Sequence, residues 1–265
     1  MAIPEVERSF ISFREKSILP AGLPELLTPP QKILEVTPAN IADLFRQKKF
    51  ADFSWLPFFS GNYAYGPILS SELSPNEKLV LIIPEMVVEQ RVAAFVKKIA
   101  PYLLKDPQSF ALGALLDGGY HFYQRVLAEV TPQTVWGDHT FPAAHADVKS
   151  HWSTPSGKEE VKALPSPDLV NGKNYLIFEG VIDSIGTINL LRESLAVPPF
   201  HPAEVIIISL TDKLGARTPE QQTLPPNTSA LLGLGGFWMC GDGPDANNGR
   251  FRTLPGGGIA RYSKN

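Results

Sequence analysis

The sequence predicts an α/β protein built on a parallel sheet. Three observations carry this. FALGALL at 110–116 is followed by the helical pattern YHFYQRVLAEV; YLIF at 175–178 is followed by TINLLRESL, with Ile188, Leu191 and Leu195 on one face; and EVIIISL at 204–210 is a further β-rich apolar run. Strands that alternate with helices in this way form strand-helix-strand units, which need a parallel sheet.

Taken in chain order, residues 1–75 are rich in proline and aromatics, with one brief helical stretch near Asn40 to Lys48. The aromatic density speaks against a free disordered tail, and an extension that packs as a dimer arm or a lid is expected. The regular pattern begins at Leu79 with a short apolar run, followed by Val88, Val92, Phe95, Val96 and Ile99 at helical spacing. The turn Asp117-Gly118-Gly119 then separates a strand from a helix. Residues 131–172 are polar and contain one strand pattern near Ala144 to Val148, and loops of such length in compact domains are often functional. The last third reads as glycine- and proline-rich turns around one short strand at Phe237 to Cys240. The expected division is an extension over 1–75 and a domain over 76–265.

Composition narrows the function. With 43% hydrophobic residues the chain can bury a sizeable core. A net charge of −3 and a pI near 6.0 supply no basic field for nucleic acid, though a local site for a small anion is allowed. Cys240 is the one cysteine and the N-terminus lacks a secretory layout, so a cytoplasmic, reducing setting is expected. The apolar segment Leu79 to Val88 contains Pro84 and Glu85 and is too short to span a bilayer, so no membrane partner is expected. Asn227-Thr228-Ser229 matches a glycosylation triplet, which matters only in a secretory context. His121, His139, His145, His151 and His201 are scattered without zinc-ligand spacing, and GLGG at 233–236 lacks the rest of a dinucleotide fingerprint.

The segment EGVIDSIGT at 179–187 joins the second strand to its helix. A helix that starts at the carboxyl end of a parallel strand aims free N–H groups and a positive dipole end into the crevice where ligands bind. Ser184 and Thr187 would add hydroxyl donors for a phosphate, and Gly186 would permit close approach. The same hydroxyls could equally be ordinary helix caps. Capping leaves Asp183 unexplained, because an acid beside a phosphate suits a proton acceptor or a metal ligand.

YLIFEGVIDSIGTINLLRESL resembles the phosphoribosyl pyrophosphate motif of type I phosphoribosyltransferases, in particular the hypoxanthine-guanine branch. Four further segments fall in that family's order: ALLDGGYHFYQRVL resembles its pyrophosphate turn, DVKSHW the start of its mobile loop, ISLTDK its purine-reading strand, and FWMCGDGPDANNGRFRTLPG its aromatic and arginine segment. The resemblance implies a parallel-sheet phosphoribosyltransferase type I fold with a small hood region, besides the N-terminal extension. It implies Asp183 as general base and Ser184, Ile185, Gly186 and Thr187 as the phosphate cradle. Glu179 would face ribose or metal, and Asp245 would be the second magnesium-associated acid. Asp117, Gly118, Gly119 and Arg252 would hold pyrophosphate; Lys213, Trp238 and Met239 the base; Lys149, Ser150 and His151 the mobile loop. Read without the resemblance, Trp238 could be core and Lys213 a surface lysine.

Three positions depart from the family pattern: Gly180 replaces an acid, Ile185 stands at a glycine position, and Asp117 replaces a lysine. The expected activity is transfer of a phosphoribosyl group from phosphoribosyl pyrophosphate to a hypoxanthine- or guanine-like base with Mg2+, in a homodimer or homotetramer. The alternatives are a homologue that binds nucleotide as a regulator or interaction protein without turnover, and a different nitrogenous acceptor, since Asp212 beside Lys213 could reshape the base pocket.

Overall fold

The computed structural model describes residues 58–59, 66–67, 73–83, 85–130, 141, 143–149, 158–213, 224–225, 227–234, 238–244, 250–254 and 257–264. The helical stretch expected near Asn40 to Lys48, and Ser150, His151 and Asp245 among the expected site residues, lie outside them. In chain order the elements are β1 (Phe58–Phe59), β2 (Gly66–Pro67), β3 (Glu77–Ile83), α1 (Glu85–Lys105), β4 (Phe110–Leu116), α2 (Gly118–Val130), β5 (Ala146–Lys149) and β6 (Glu160–Ala163). There follow α3 (Pro167–Val170), β7 (Asn174–Ile182), α4 (Gly186–Leu195), β8 (Glu204–Asp212), β9 (Thr228–Leu234), β10 (Met239–Cys240) and β11 (Ile259–Lys264).

The main sheet has the order β1-β9-β8-β7-β4-β5-β6, and every neighbouring pair is parallel except β5 with β6. Both faces are buried, as a parallel sheet requires. On β7, Leu176 and Phe178 join the cluster that packs with Val92, Phe95, Phe122 and Val126 of α1 and α2. Tyr175 and Ile177 point the other way, into the cluster with Ile188, Leu191 and Leu195 of α4. The period-two pattern of YLIF and the helical spacing of TINLLRESL thus lock together across one face. A second, antiparallel sheet of order β10-β11-β3-β2 forms the hood, and Leu79, Cys240, Phe251, Leu254 and Ala260 make its small core.

The parallel-sheet fold with a hood is the one expected. Besides the short strands at 58–59 and 66–67 and the strand and helical turn at 160–170, where none was expected, further details differ. β7 does not end at YLIF but runs on to Ile182, because β8 continues beside it and Ile182 faces Asp212 across the ladder. Gly118 and Gly119 are not a turn before α2 but its first two residues. β9 occupies a stretch read as turns: TSALLGL gains its ladder from β8, a partner that local composition does not reveal. β11 pairs with β3 across most of the chain and was missed for the same reason.

Candidate active site

The carboxyl ends of β4, β7 and β8 bring together residues from four of the segments singled out in the sequence. At the end of β8, Lys213 donates from Nζ to Oδ2 of Asp183 at 2.8 Å, and the same nitrogen lies 5.8 Å from the centroid of the Trp238 ring. Lys213 is 8% exposed, whereas the Trp238 side chain is half open to solvent at 49%. An exposed indole beside a buried ammonium and a carboxylate can stack on a flat heterocycle while the two charged groups address its edge. The Lys213 reading as an ordinary surface lysine is thereby excluded. Met239 lies behind this cluster: its side chain is buried in the main core and its sulfur lies 3.5 Å from the Thr211 hydroxyl, which donates to the Gly180 carbonyl at 2.8 Å.

The second group lies at the start of α4. Its N-cap, Ile185, has φ −79° and ψ −7°, and no side chain caps the helix. An ordinary right-handed backbone at 185 explains how isoleucine is accommodated at a position where the resemblance has glycine. Neither hydroxyl serves the helix end. Ser184 Oγ and Thr187 Oγ1 both donate to Oε1 of Glu159, at 3.2 Å and 2.8 Å. These groups therefore face an anion, which here is a carboxylate of the same chain.

The third group surrounds the β4–α2 junction, where the Leu116–Asp117 peptide bond is cis. Arg252 approaches Asp117 at 3.5 Å, so the acid at the lysine position of the resemblance faces the arginine expected to hold pyrophosphate. Asp117 is largely solvent-exposed, and water screens the pair. Glu179 lies beside this junction: a Cβ on Gly118 would fall 3.3 Å from its Oε1. That oxygen accepts the N–H of Gly180 at 2.6 Å and of Val181 at 3.4 Å, yet burial dominates and pushes the carboxyl up to about 7.

Gly180 has a geometric reason. A Cβ there would lie 2.5 Å from the Gly118 carbonyl oxygen and 3.2 Å from Cδ of Pro244. Gly243, at φ +112°, presses on the same carbonyl from the hood. The volume an acid side chain would fill is thus taken by backbone. Lys149 closes β5 at the sheet margin, next to residues outside the described set.

Of the expected magnesium ligands, only Glu179 is described, and no cluster of three or more acidic, histidine or cysteine side chains suited to a metal occurs among the described residues. A lone carboxylate still fits Mg2+ where substrate phosphates supply most of the oxygens. Oε1 of Glu179 accepts two N–H groups, and among the described residues no hydrogen bond is made to Oε2, which leaves that hard oxygen for such an ion.

The sequence reading missed four residues. Glu159 gave no signal, being one acid in a polar loop. Arg125, Glu85 and Asp242 form an ion-paired group that fastens the hood to α1 and α2: Arg125 donates from Nη2 to Glu85 at 2.5 Å and from Nε to Asp242 at 3.0 Å. The GDG triplet at 241–243 was the available clue, since Asp242 sits at φ 51° between two glycines of positive φ.

No protein-family pattern and no curated protein sequence matches the chain. Solved structures do. The hypoxanthine phosphoribosyltransferase of Trypanosoma cruzi, in complex with the product IMP, is 19% identical with a TM-score of 0.54, over 72% of this chain and 96% of that one. The hypoxanthine-guanine phosphoribosyltransferase of Schistosoma mansoni, also with IMP, is 21% identical with a TM-score of 0.52, over 69% and 81%. A hypoxanthine-guanine-xanthine phosphoribosyltransferase is 17% identical with a TM-score of 0.53, over 70% and 96%. The fold is that of type I phosphoribosyltransferases of the hypoxanthine-guanine branch.

Proposed function

We propose that this chain transfers a phosphoribosyl group from phosphoribosyl pyrophosphate to a purine base of the hypoxanthine or guanine kind, giving a nucleoside monophosphate and pyrophosphate. The observation that carries this is the trio Asp183, Lys213 and Trp238 at the carboxyl end of the sheet. The purine stacks on Trp238, and Lys213 donates to its exocyclic oxygen. Asp183 accepts the proton from the ring nitrogen as that nitrogen attacks the anomeric carbon and the bond to pyrophosphate breaks. Ser184, Thr187 and the first turn of α4, with Ile185 and Gly186, hold the 5′-phosphate. Arg252 and the Asp117-Gly118-Gly119 backbone face the leaving pyrophosphate. Glu179 and Asp245, with substrate oxygens, would hold Mg2+, which would supply neutralising charge for that leaving group. Because the transition state resembles an oxocarbenium ion, alignment and charge stabilisation do most of the work. Lys149, Ser150 and His151 belong to the loop that excludes water, and the working unit is a homodimer or homotetramer in the cytoplasm. No helix among the described residues is long and apolar enough to cross a membrane.

The test is incubation of the purified protein with Mg2+, phosphoribosyl pyrophosphate and hypoxanthine, guanine, xanthine or adenine in turn, with nucleotide and pyrophosphate measured. Turnover with a 6-oxopurine supports the proposal. Saturable binding without turnover of any base favours a regulator. Asp183→Asn should lower kcat by roughly 10²- to 10⁴-fold with little change in ligand affinity; equal losses of both would contradict its role as base.

A further inference from the structure

The phosphate cradle is already filled, by the chain itself. Oε1 of Glu159 accepts hydrogen bonds from both cradle hydroxyls, Ser184 and Thr187. Its other oxygen occupies the space left by the missing side chain of Gly186: a Cβ there would lie 2.7 Å from Oε2. A carboxylate at that place enjoys the same two attractions a phosphate would, the hydroxyl donors and the positive end of the ten-residue helix α4.

Glu159 is the residue immediately before β6, which among the described residues is the margin strand of the main sheet and pairs with β5 alone. Three of the four β6 residues are exposed, and only Val161 packs against the core below α4. Among the contacts that fasten β6 and its flanking residues beyond its ladder are Val161 and Leu164 on the core, the Lys162–Asp147 pair at 3.4 Å, and Glu159 in the cradle. Whatever removes the carboxylate from the cradle removes one of these anchors.

We propose that Glu159 is an internal competitor for the phosphate cradle: a phosphorylated ligand has to displace it, and displacement loosens β6. The inference rests on the reading of residues 183–187 as a ribosyl-phosphate cradle. Its energetic form is a population effect, in which the apparent affinity is reduced by the fraction of molecules whose cradle is open. The residue thereby discriminates among ligands. Those carrying a phosphate feel the competition, whereas a nucleoside or a free base does not.

The experiment is calorimetric titration of the full chain and of Glu159→Gln with inosine 5′-monophosphate and, separately, inosine, accompanied by hydrogen exchange on Glu160–Ala163. Glutamine keeps the shape and removes the charge that competes. Glu159→Gln should bind the monophosphate roughly tenfold more tightly, with inosine unchanged. Exchange in β6 should speed up on adding the monophosphate to the parent protein, and should already be fast without ligand in Glu159→Ala, which leaves no side chain in the cradle. Thr187→Val serves as the control that the phosphate uses the cradle, and should weaken the monophosphate alone. If Glu159→Gln binds the monophosphate no better while Thr187→Val weakens it, the competition is overturned and the cradle reading stands. If inosine gains as much as the monophosphate, the effect is not on the phosphate and the proposal is overturned. Failure of the parent, Glu159→Gln and Thr187→Val to bind the monophosphate would overturn the cradle reading together with the competition.

Discussion

At the scale of single residues, Glu179 shows how far an acid's identity is from its chemistry. The sequence marks it as an acid at the edge of the site, but not that neighbouring backbone dries it. Folding raises its carboxyl from the ordinary 4.5 to about 7. The native state therefore holds a proton that the unfolded chain has lost across the window from about 4.5 to about 7. Stability falls as pH rises through that window, and the cost of the buried charge is complete above it. Glutamine can accept the same Gly180 and Val181 N–H bonds without a charge. Glu179→Gln should thus stabilise the ligand-free protein at pH 8 by on the order of 1–3 kcal/mol and flatten its pH dependence between 4.5 and 7. Thermal melts at pH 5 and pH 8 measure both, and an equal effect at the two pH values would contradict burial as the cause. Asp183 and Lys213 could be singled out in the sequence because their types and their places at strand ends fit a task, and the structure joins the two side chains at 2.8 Å. Glu159 was not, because its meaning comes from a contact with residues 25 to 28 positions away.

At the scale of elements, the central strands and the helices that follow them were legible because each carries its own local signal: the unbroken apolar runs FALGALL, YLIF and EVIIISL for strands buried on both faces, and the helical spacing of Ile188, Leu191 and Leu195 for α4. β9 and β11 were not, since TSALLGL and IARYSK become strands by pairing with distant neighbours, β8 and β3. The end of β7 likewise depends on β8. That extension places Gly180 within the sheet, against the first carbonyl of α2, so the strand and the helix start touch through a position that tolerates no side chain. Restoring the acid of the family pattern should then damage the protein. Gly180→Asp forces a Cβ to within 2.5 Å of the Gly118 oxygen unless the β4–α2 junction moves. The expected loss is about 2–3 kcal/mol in urea denaturation, most of it already present in Gly180→Ala. A Gly180→Asp protein as stable as its parent and faster in turnover would show that the junction is freely adjustable.

At the scale of the whole molecule, the hood and the parallel sheet share apolar core, with Ile82, Ile83, Met239 and Ile259 of the hood strands in the main cluster, and a charge group braces the same seam. Glu77 of β3 is paired through both carboxylate oxygens with Arg250, accepts from Tyr262 at 2.7 Å, and so staples the hood internally. Between hood and core, Arg125 of α2 binds Glu85 at the start of α1 and Asp242 in the turn that presses Gly243 onto Gly118. Burial raises the Asp242 carboxyl to about 6 even though Arg125 draws it down, and its Oδ2 is buried without a hydrogen-bond partner. Arg125 is therefore the cation that makes two acids tolerable at this seam. Arg125→Met leaves both acids uncompensated and should destabilise the protein by roughly 2–4 kcal/mol at pH 8. The sign with pH follows from the proton count. Without Arg125 the Asp242 pKa rises further, native molecules keep that proton to higher pH, and the loss must be smaller at pH 5 than at pH 8. Adding Asp242→Asn removes one of the stranded charges, so the double variant should lose less than the sum of the two single changes. Because the Asp242 turn roofs the Gly118 carbonyl, Arg125→Met should, on the proposed reading of that turn as the pyrophosphate site, also weaken pyrophosphate inhibition, which titrations read independently of stability. Arg125→Met with unchanged stability at both pH values would mean that apolar contacts alone, and not this charge group, set the hood on the sheet.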